Sequence, residues 1–313
     1  MPEKHILDVD APTRLDQLLA RRWGELDRAQ IREMITEGRV SINGETARKL
    51  GQRLQPGDVV VVQLPELEKS EAPTPPPGLA LSIAYEDEHL LVVDKPAGIP
   101  VRRSPRSRGG QDHATLPQLL AERYPGQAHV GGVNRAGVVT TLDEDASGLV
   151  LAGRDESMYR ELRRMVKRQY VTEVYTALVE GHLRGEYTID QPIGNARHTR
   201  GRLVVAREGR PAQTYVRGQQ HYKESGRDYT LVYVRPESER MHQIRVHLSW
   251  YGFPIVGDRV YGSNRQPMLP DRLFLHLSVV SLLHPVTDLE LRVESELPPE
   301  LHSVLSYMRR PKY

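Results

Sequence analysis

The pattern of apolar positions divides the chain at LEKSEAPTPPPGLA, a segment rich in proline and acidic residues. Before it, apolar residues recur with helical spacing in TRLDQLLARRW and DRAQIREMITEGRV, with Thr13 and Asp27 as candidate N-caps. VSING and PGDVVVVQL then predict strands next to turns. We therefore expect a small α+β module at residues 1–66, a linker at 67–80 and a large domain at 81–313.

The large domain is patterned mostly for strands. LSIAYEDEHLLVVDK predicts two strands around the turn Glu86–Glu88, and β-branched and aromatic content predicts further strands in VVTTLD, GLVLAGRD, VTEVYTALVEG, QTYVRGQQHY, YTLVYVRP and QIRVHLSWYG. TLPQLLAERY and ELPPELHSVLSYM predict helices, as does SMYRELRRMVKRQ, whose Met158, Leu162, Met165 and Val166 form an inward stripe. The expected fold class is α+β, with a mixed, mainly antiparallel central sheet.

Composition limits the chemistry that the chain can perform. The 313 residues are 38% hydrophobic and 27% charged, a balance typical of a soluble globular protein, and they include no cysteine. Disulfides, thiolate zinc sites and cysteine nucleophiles are therefore excluded. No apolar run approaches the roughly 20 residues of a membrane span. The N-terminal MPEKHILDVD lacks the layout of a signal peptide, so we expect a cytoplasmic location without membrane contact.

Arginine is distributed unevenly, although the net charge is only +2. It is concentrated in three segments, 102–108, 160–168 and 197–202. Arginine recognises phosphate through its planar, bidentate guanidinium group. Each cluster alone is compatible with a solvated surface, but several clusters around one candidate site favour a nucleic-acid partner.

The stretch AGVVTTLDEDASGLVLAGRD contains the aspartate of greatest interest, Asp143. An aspartate before a glycine-containing turn is common for hydrogen-bonding reasons alone. Taken singly, Tyr175 is more typical of core packing than of catalysis, and Arg245 is more typical of a surface ion pair. His242 and His247 are five positions apart, but no third ligand has convincing spacing, so a metal site is not expected.

The order of several motifs favours a functional role for these residues over a purely structural one. DKPAGIPV, TLDEDASGLVL, VYTALVEG, RPAQTY, ERMHQIRVHL, PIVGDRVYG and LHPVT follow one another from about Leu81 onward. In this order they resemble the RluA-type pseudouridine synthases, which isomerise uridine in RNA. The preceding region resembles the S4-like RNA-binding module through Arg14-Leu15-Asp16, Gly38-Arg39-Val40 and Asn43-Gly44. The resemblance implies a central sheet of the pseudouridine synthase type, crossed by a cleft with Asp143 near its middle.

The resemblance also implies roles for individual residues. Asp143 matches the catalytic aspartate, Tyr175 the active-site tyrosine and Arg245 the arginine that pairs with the aspartate. The carboxylate can attack C1′ or take a proton from C2′, and the tyrosine hydroxyl is a candidate for handling the C5 proton. The reaction involves no redox step, so no cofactor and no metal are expected. Asp258, within the turn Gly257–Arg259, is assigned a structural role.

RNA is the expected partner, with ribosomal RNA favoured over transfer RNA, and the protein is expected to be a monomer. The basic residues expected to hold the RNA backbone are Arg28, Arg32, Arg102, Arg103, Arg163, Arg164, Arg168 and Arg240.

The chain departs from the family pattern near the site. Thr140 and Thr141 stand where the family usually has His-Arg, and Glu173 stands where a basic residue is usual. Two functions therefore stay open. One is an active RNA pseudouridine synthase; the other is a non-catalytic RNA-binding protein, such as a ribosome assembly factor, that retains the fold. Retention of all three catalytic candidates favours the first.

Overall fold

The structure, a computed structural model, describes residues 4–23, 28–63, 81–101, 114–132, 134–196, 202–262, 269 and 272–309. The linker expected at 67–80 lies outside the described residues, as do Asp27, Arg102 and Arg103. Within the described part of the chain, no helix combines the length and the apolar character needed to cross a membrane.

The N-terminal region forms its own sheet and its own apolar core. Its strands are β1 (Lys4–Asp8), β2 (Thr13–Arg14), β3 (Val40–Ile42), β4 (Glu45–Thr46), β5 (Arg53–Leu54) and β6 (Val59–Gln63), and its helices are α1 (Leu15–Arg22) and α2 (Arg28–Thr36). Four strands pair in the order β1-β6-β3-β4, all antiparallel. The apolar stripes of both helices pack on this sheet, with Leu15, Leu19 and Ile31 fully or almost fully buried.

Thr13 does not cap the first helix, contrary to the sequence prediction. Thr13 and Arg14 pair with β5 as a short strand, and α1 begins only at Leu15. The N-cap position is Arg14, whose side chain makes no capping hydrogen bond. Arg14 instead donates from Nε and Nη2 to the two carboxylate oxygens of Asp16, at 2.9 Å each.

The second region is built on one large sheet. Its strands are β7 (Ser82–Glu86), β8 (Leu90–Lys95), β9 (Ser147–Gly153), β10 (Val171–Glu180), β11 (Glu186–Asp190), β12 (Ile193–Asn195), β13 (Leu203–Val205), β14 (Gln213–Glu224), β15 (Arg227–Pro236), β16 (Leu275–Leu283) and β17 (Glu290–Glu294). Its helices are α3 (Leu116–Arg123), α4 (Glu156–Lys167), α5 (Gln243–Trp250) and α6 (Pro299–Tyr307).

The nine-stranded sheet has the order β11-β14-β15-β10-β16-β9-β8-β7, with β17 also paired to β16. Its pairs are antiparallel except the short parallel contact between β9 and β16. This confirms the predicted mainly antiparallel α+β class. The central strand β9 is buried along its whole length, and α4 lays Met158, Leu162 and Met165 into the core. Val166, predicted to face inward with them, is only half-buried.

The segment VVTTLD does not form the predicted strand. Val138 makes one isolated bridge to Ala152, and the Val139 N–H donates to the Leu151 carbonyl at 2.8 Å. The Leu151 N–H donates to the Thr140 hydroxyl oxygen at 3.0 Å. A side-chain oxygen therefore replaces the backbone carbonyl that would accept this hydrogen bond in a continued strand pair. The backbone is thereby released from pairing before it reaches Asp143.

The segment QIRVHLSWYG was predicted as a strand and is the helix α5 instead. Its residues from Gln243 to Leu248 are all buried. A helix covered on every side has no alternation of apolar and polar positions at helical spacing, and the β-branched and aromatic residues then favour a strand assignment. The polar members of this helix have partners inside the protein, as described below.

We expect the β9–β16 contact to tolerate no side chain at Gly148. Its φ is +117°, and a Cβ there would lie 2.3 Å from the Leu277 carbonyl oxygen. Gly148→Ala should therefore lower the free energy of unfolding by about 3 kcal/mol, combining overpacking and backbone strain. Gly185→Ala is the matched control, because φ is +78° but nothing lies within 4 Å of the added atom. That control should cost about 1 kcal/mol. If urea unfolding showed the same loss of unfolding free energy in Gly148→Ala and Gly185→Ala, the packing argument would be contradicted.

Candidate active site

Asp143 lies in the loop between the Val138 bridge and strand β9. Its carbonyl oxygen accepts the Ala146 N–H at 3.1 Å, which closes a tight turn after the aspartate. The Asp143 side chain is 22% exposed, so it is sheltered but reachable. Within this loop Thr140 is buried through its bond to Leu151, and Thr141 is exposed.

Lys95 anchors the turn that follows Asp143. Its side chain is fully buried, and Nζ donates to the carbonyl oxygens of Pro96 at 2.9 Å, Ala146 at 2.7 Å and Glu144 at 3.3 Å. The Gly98 N–H also donates to the Glu144 carbonyl, at 2.8 Å. Burial lowers the pKa of the Lys95 ammonium to about 7. The end of β8 therefore holds the loop in place through buried hydrogen bonds.

Arg245, on α5, joins Asp143 to a second carboxylate. Its Nη1 donates to Asp143 Oδ2 at 2.9 Å, while Nε and Nη2 donate to the two oxygens of Asp258 at 2.8 Å each. Asp258 Oδ1 also accepts the N–H groups of Val260 and Tyr261, both at 2.9 Å. The Arg245 guanidinium carbon lies 5.1 Å from the centre of the Tyr261 ring. The guanidinium group is thus fixed on several sides.

The two charges of the Arg245–Asp258 pair stabilise each other inside the protein. Burial by itself lowers the pKa of Arg245 and raises that of Asp258. The hydrogen bonds and opposite charges between them outweigh burial, so the pKa of Arg245 is raised and the pKa of Asp258 is lowered. Both groups therefore stay ionised near neutral pH, and Arg245 presents a permanent positive charge to Asp143.

Helix α5 is held by a buried polar network. Gln243 Nε2 donates to the Gln213 carbonyl at 2.8 Å and to Thr214 Oγ1 at 2.9 Å. His247 Nε2 lies 2.9 Å from the Gln191 carbonyl, and its Nδ1 lies 2.8 Å from Thr214 Oγ1. Because a carbonyl can only accept, Nε2 carries the proton and Thr214 donates to Nδ1. Burial lowers the pKa of His247, in agreement with this neutral form.

Tyr175 lies on β10, next to a register shift between Val174 and Tyr175 in the pairing with β16. Such irregularities turn side chains away from the regular pleat and are common beside active sites. Tyr175 is buried, and its hydroxyl donates to Glu173 Oε2 at 3.0 Å. Burial raises the pKa of Tyr175 well above its ordinary value, and the charges of Glu173 and Asp143 raise it further.

His242 and Tyr261 complete the surroundings of Asp143. His242 Nε2 lies 3.9 Å from Asp143 Oδ1, and its Nδ1 lies 2.9 Å from the Tyr261 hydroxyl. Its backbone is in the left-handed region, with φ at 55°, at the start of α5. Burial lowers the pKa of His242, although the charge of Asp143 opposes this. Sequence reasoning considered His242 only as a metal ligand and left Tyr261 out.

The residues predicted to bind RNA lie in several parts of the molecule. Arg32 is exposed on α2, Arg163 and Arg164 are exposed on α4, and Arg168 is exposed just after α4. Arg240 is half-buried and donates to the carbonyl oxygens of Pro211 and Glu239. The backbone of Arg28 belongs to α2, while its side chain lies outside the described part of the structure, as do Arg102 and Arg103.

Among the described residues, no three histidine, aspartate or glutamate side chains are grouped as metal ligands would be. The site consists of a carboxylate paired to a buried arginine, a buried tyrosine bonded to a glutamate, and a histidine facing the carboxylate. This arrangement can supply an ionised oxygen and groups that transfer protons.

Comparison with known proteins identifies the class to which this fold and site belong. The model of the RNA pseudouridylate synthase family matches residues 89–250, and the model of the S4 domain matches residues 13–60. The chain belongs to the RNA pseudouridine synthases, enzymes that isomerise uridine in RNA.

Individual relatives are similar over almost the whole chain. An RNA pseudouridine synthase of Bacillus subtilis, YlyB, is 34% identical over 298 residues, covering 95% of this chain and 94% of the relative. Ribosomal large subunit pseudouridine synthase D of Escherichia coli is 31% identical over 308 residues, covering 95% and 90%. Among solved structures, human RNA pseudouridylate synthase domain containing 1 matches with a TM-score of 0.59 and 27% identity, covering 73% of this chain and 90% of that one.

The two carboxylates bound to Arg245 should differ in their effect on stability. Asp258 is 1% exposed and holds two guanidinium nitrogens, so Asp258→Asn should lower the free energy of unfolding by about 3 kcal/mol. Asp143→Asn should cost less than about 1 kcal/mol, because Asp143 is more exposed and Arg245 keeps Asp258. Urea unfolding of both variants measures this difference.

The pH dependence of the free energy of unfolding provides the control for the comparison of Asp258→Asn with Asp143→Asn. Because the pKa of Asp258 is lowered on folding, its stabilising effect is complete above the ordinary aspartate pKa and is lost as the pH falls through the folded value. Asp258→Asn should remove this acid-dependent loss. A variant that is as stable as the parent, with the same pH dependence, would contradict a supporting role for Asp258.

Proposed function

We propose that this chain converts uridine to pseudouridine in ribosomal RNA, with Asp143, Tyr175 and Arg245 as its catalytic residues. The observation that carries the assignment is the 2.9 Å bond from Arg245 Nη1 to Asp143 Oδ2. It leaves Oδ1 on the side facing His242, at 3.9 Å from Nε2. The arginine is itself held by Asp258, so the reacting carboxylate is positioned by a rigid, charged group.

The chemistry uses one ionised carboxylate. The bond between N1 and C1′ breaks, the uracil turns, and C5 bonds to C1′. Asp143 Oδ1 either attacks C1′ or removes a proton from C2′, and in both cases the hydrogen bond from Arg245 to Oδ2 holds the carboxylate in position. Tyr175 lies against the uracil and handles the proton at C5. The target nucleotide leaves its stack to reach these groups, at a cost of roughly a few kcal/mol.

Ribosomal RNA is the substrate class we favour. One of the relatives that match over most of the chain is named for the large ribosomal subunit. The S4 domain match and the exposed arginines of α2 and α4 add a second RNA-binding surface and phosphate contacts outside the site. We propose that residues 1–66 act as a separate RNA-binding module and residues 81–313 as the catalytic domain.

Loss of the Asp143 charge should abolish the modification. With purified protein, Asp143→Asn should reduce turnover at least about 100-fold while RNA binding is retained, because the amide keeps the shape but neither attacks nor accepts a proton. Asp145→Asn is the matched control, since it removes a carboxylate two residues further along the same loop. Pseudouridine mapping in ribosomal RNA from cells that lack the protein and receive each variant extends the measurement to the natural substrate.

Each result of that experiment has a separate meaning. Restoration of the missing pseudouridine by Asp143→Asn would overturn the assignment of the catalytic carboxylate. Missing pseudouridines in transfer RNA alone would overturn the substrate class and leave the enzyme assignment intact. RNA binding without turnover by the parent protein would favour the non-catalytic binding function.

Removal of residues 1–66 should separate binding from catalysis. The apolar core of this region consists of residues between Leu7 and Val62, so the rest of the chain should fold without it. We expect the shortened protein to modify short oligonucleotides at a near-parental rate and to bind long structured RNA more weakly. Circular dichroism and filter binding measure the two properties. An unfolded remainder would contradict the proposed division of the chain.

A further inference from the structure

Glu173 is a carboxylate beside the site with no part in the chemistry described so far. It precedes Tyr175 by two positions on β10, on the other side of the register shift between Val174 and Tyr175. Glu173 Oε2 accepts the hydrogen bond from the Tyr175 hydroxyl at 3.0 Å. A phenol that donates its proton to a carboxylate keeps its oxygen lone pairs available for another proton.

Glu173 also borders a cavity of about 200 Å³ that lies between the end of α4, the start of β10 and the end of β15. Glu237 and Glu239 line the same cavity. Arg235, the cation in its lining, donates from Nε to Glu237 Oε1 at 2.6 Å. The lining of the cavity therefore places polar and charged side chains beside Glu173.

The surroundings of Glu173 suit a group that both gains and loses a proton near neutral pH. Burial raises the pKa of Glu173 to about 7; the hydrogen bond from Tyr175 opposes this shift and the charge of Glu239 adds to it. A proton acceptor works best when its pKa is close to the operating pH. An ordinary glutamate, with a pKa of about 4.3, would accept a proton from a phenol far less readily.

We propose that Glu173 is the proton acceptor behind Tyr175, so that the C5 proton of the bound uracil leaves through a tyrosine–glutamate relay. This inference rests on the proposed function. Glu173 does not touch the substrate; it acts through the Tyr175 hydroxyl. It would give this chain a carboxylate relay at a position where the family usually has a basic side chain.

After C5 bonds to C1′, C5 carries both a hydrogen and the sugar. Tyr175 Oη takes this hydrogen as a proton while its own O–H proton passes to Glu173 Oε2. The C5–H electron pair becomes the C5=C6 double bond, and the N1=C6 pair moves onto N1, which takes a proton from water. Glu173 releases its proton to water through the cavity, so no proton is consumed overall.

The experiment compares Glu173→Gln with the full-length parent in single-turnover reactions on RNA that carries uridine or 5-deuterouridine. The amide still accepts the tyrosine hydrogen bond but takes up no proton. We expect a rate about 10 to 100-fold lower, a larger C5 deuterium isotope effect and little change in KM. The parental rate should rise with pH through about 7 as Glu173 ionises, and Glu173→Gln should lose this rise.

Three further variants separate proton transfer from structural damage. Glu237→Gln removes a carboxylate from the same cavity, at a residue bonded to Arg235, and should keep the parental rate and isotope effect. Glu173→Asp keeps a titrating carboxylate, so the rise with pH should persist, and it provides the test if Glu173→Gln unfolds. In a Tyr175→Phe background, Glu173→Gln should have no additional effect, because the relay is already broken.

The outcomes distinguish this inference from the proposed function. A parental rate, isotope effect and pH profile in Glu173→Gln would overturn the relay while leaving the synthase assignment intact. Loss of the pH-dependent rise in Glu173→Asp as well would indicate a structural role and would also overturn it. Absence of turnover in the parent protein on every RNA would reject the proposed function itself.

Discussion

The arrangement around Asp143 depends on one buried guanidinium group. Arg245 comes from α5, Asp143 from the loop before β9, and Asp258 from a turn that follows α5. A buried arginine is tolerated only where its donors and its charge are satisfied, so these three segments stay together or all lose stability. The three groups carry two negative charges and one positive charge. Asp143 is the more exposed of the two carboxylates, while Asp258 is almost completely buried beneath the guanidinium group.

Much of the fold follows from local patterns, and the exceptions have a common cause. The amphipathic stripes of α1, α2 and α4 were predicted because one face of each helix is buried and the other meets water. The strands β7, β8, β10, β14 and β15 were predicted from their β-branched and aromatic content and from neighbouring turn residues, and this signal persists in β8, which is buried on both faces. Helix α5 was assigned wrongly because burial on all sides removes that contrast. The strand predicted at VVTTLD fails for another reason: the Thr140 hydroxyl takes the place of a backbone partner, and no periodicity in the sequence signals such a substitution.

Part of the candidate site could be predicted from the sequence, and part could not. Asp143, Tyr175 and Arg245 could be chosen together because their motifs occur in a characteristic order. Asp258, His242 and Lys95 could not be assigned their positions, since each acts through a contact with a distant part of the chain. The Lys95 ammonium, for example, holds carbonyl oxygens about fifty residues away. Hydrogen bonds to backbone carbonyls have no residue-type signature at the accepting end, so only the folded structure reveals them.

The distribution of charge constrains how RNA can approach. Inside the site the two carboxylates of Asp143 and Asp258 share one guanidinium group, whereas exposed arginines lie on α2 and α4. A phosphate group near Asp143 would be repelled, and a phosphate near the surface arginines would be attracted. Uracil and ribose are neutral, so they can enter where the backbone cannot. This distribution of charge favours a neutral nucleoside over a phosphate group at the site, and the small net charge of +2 conceals the division.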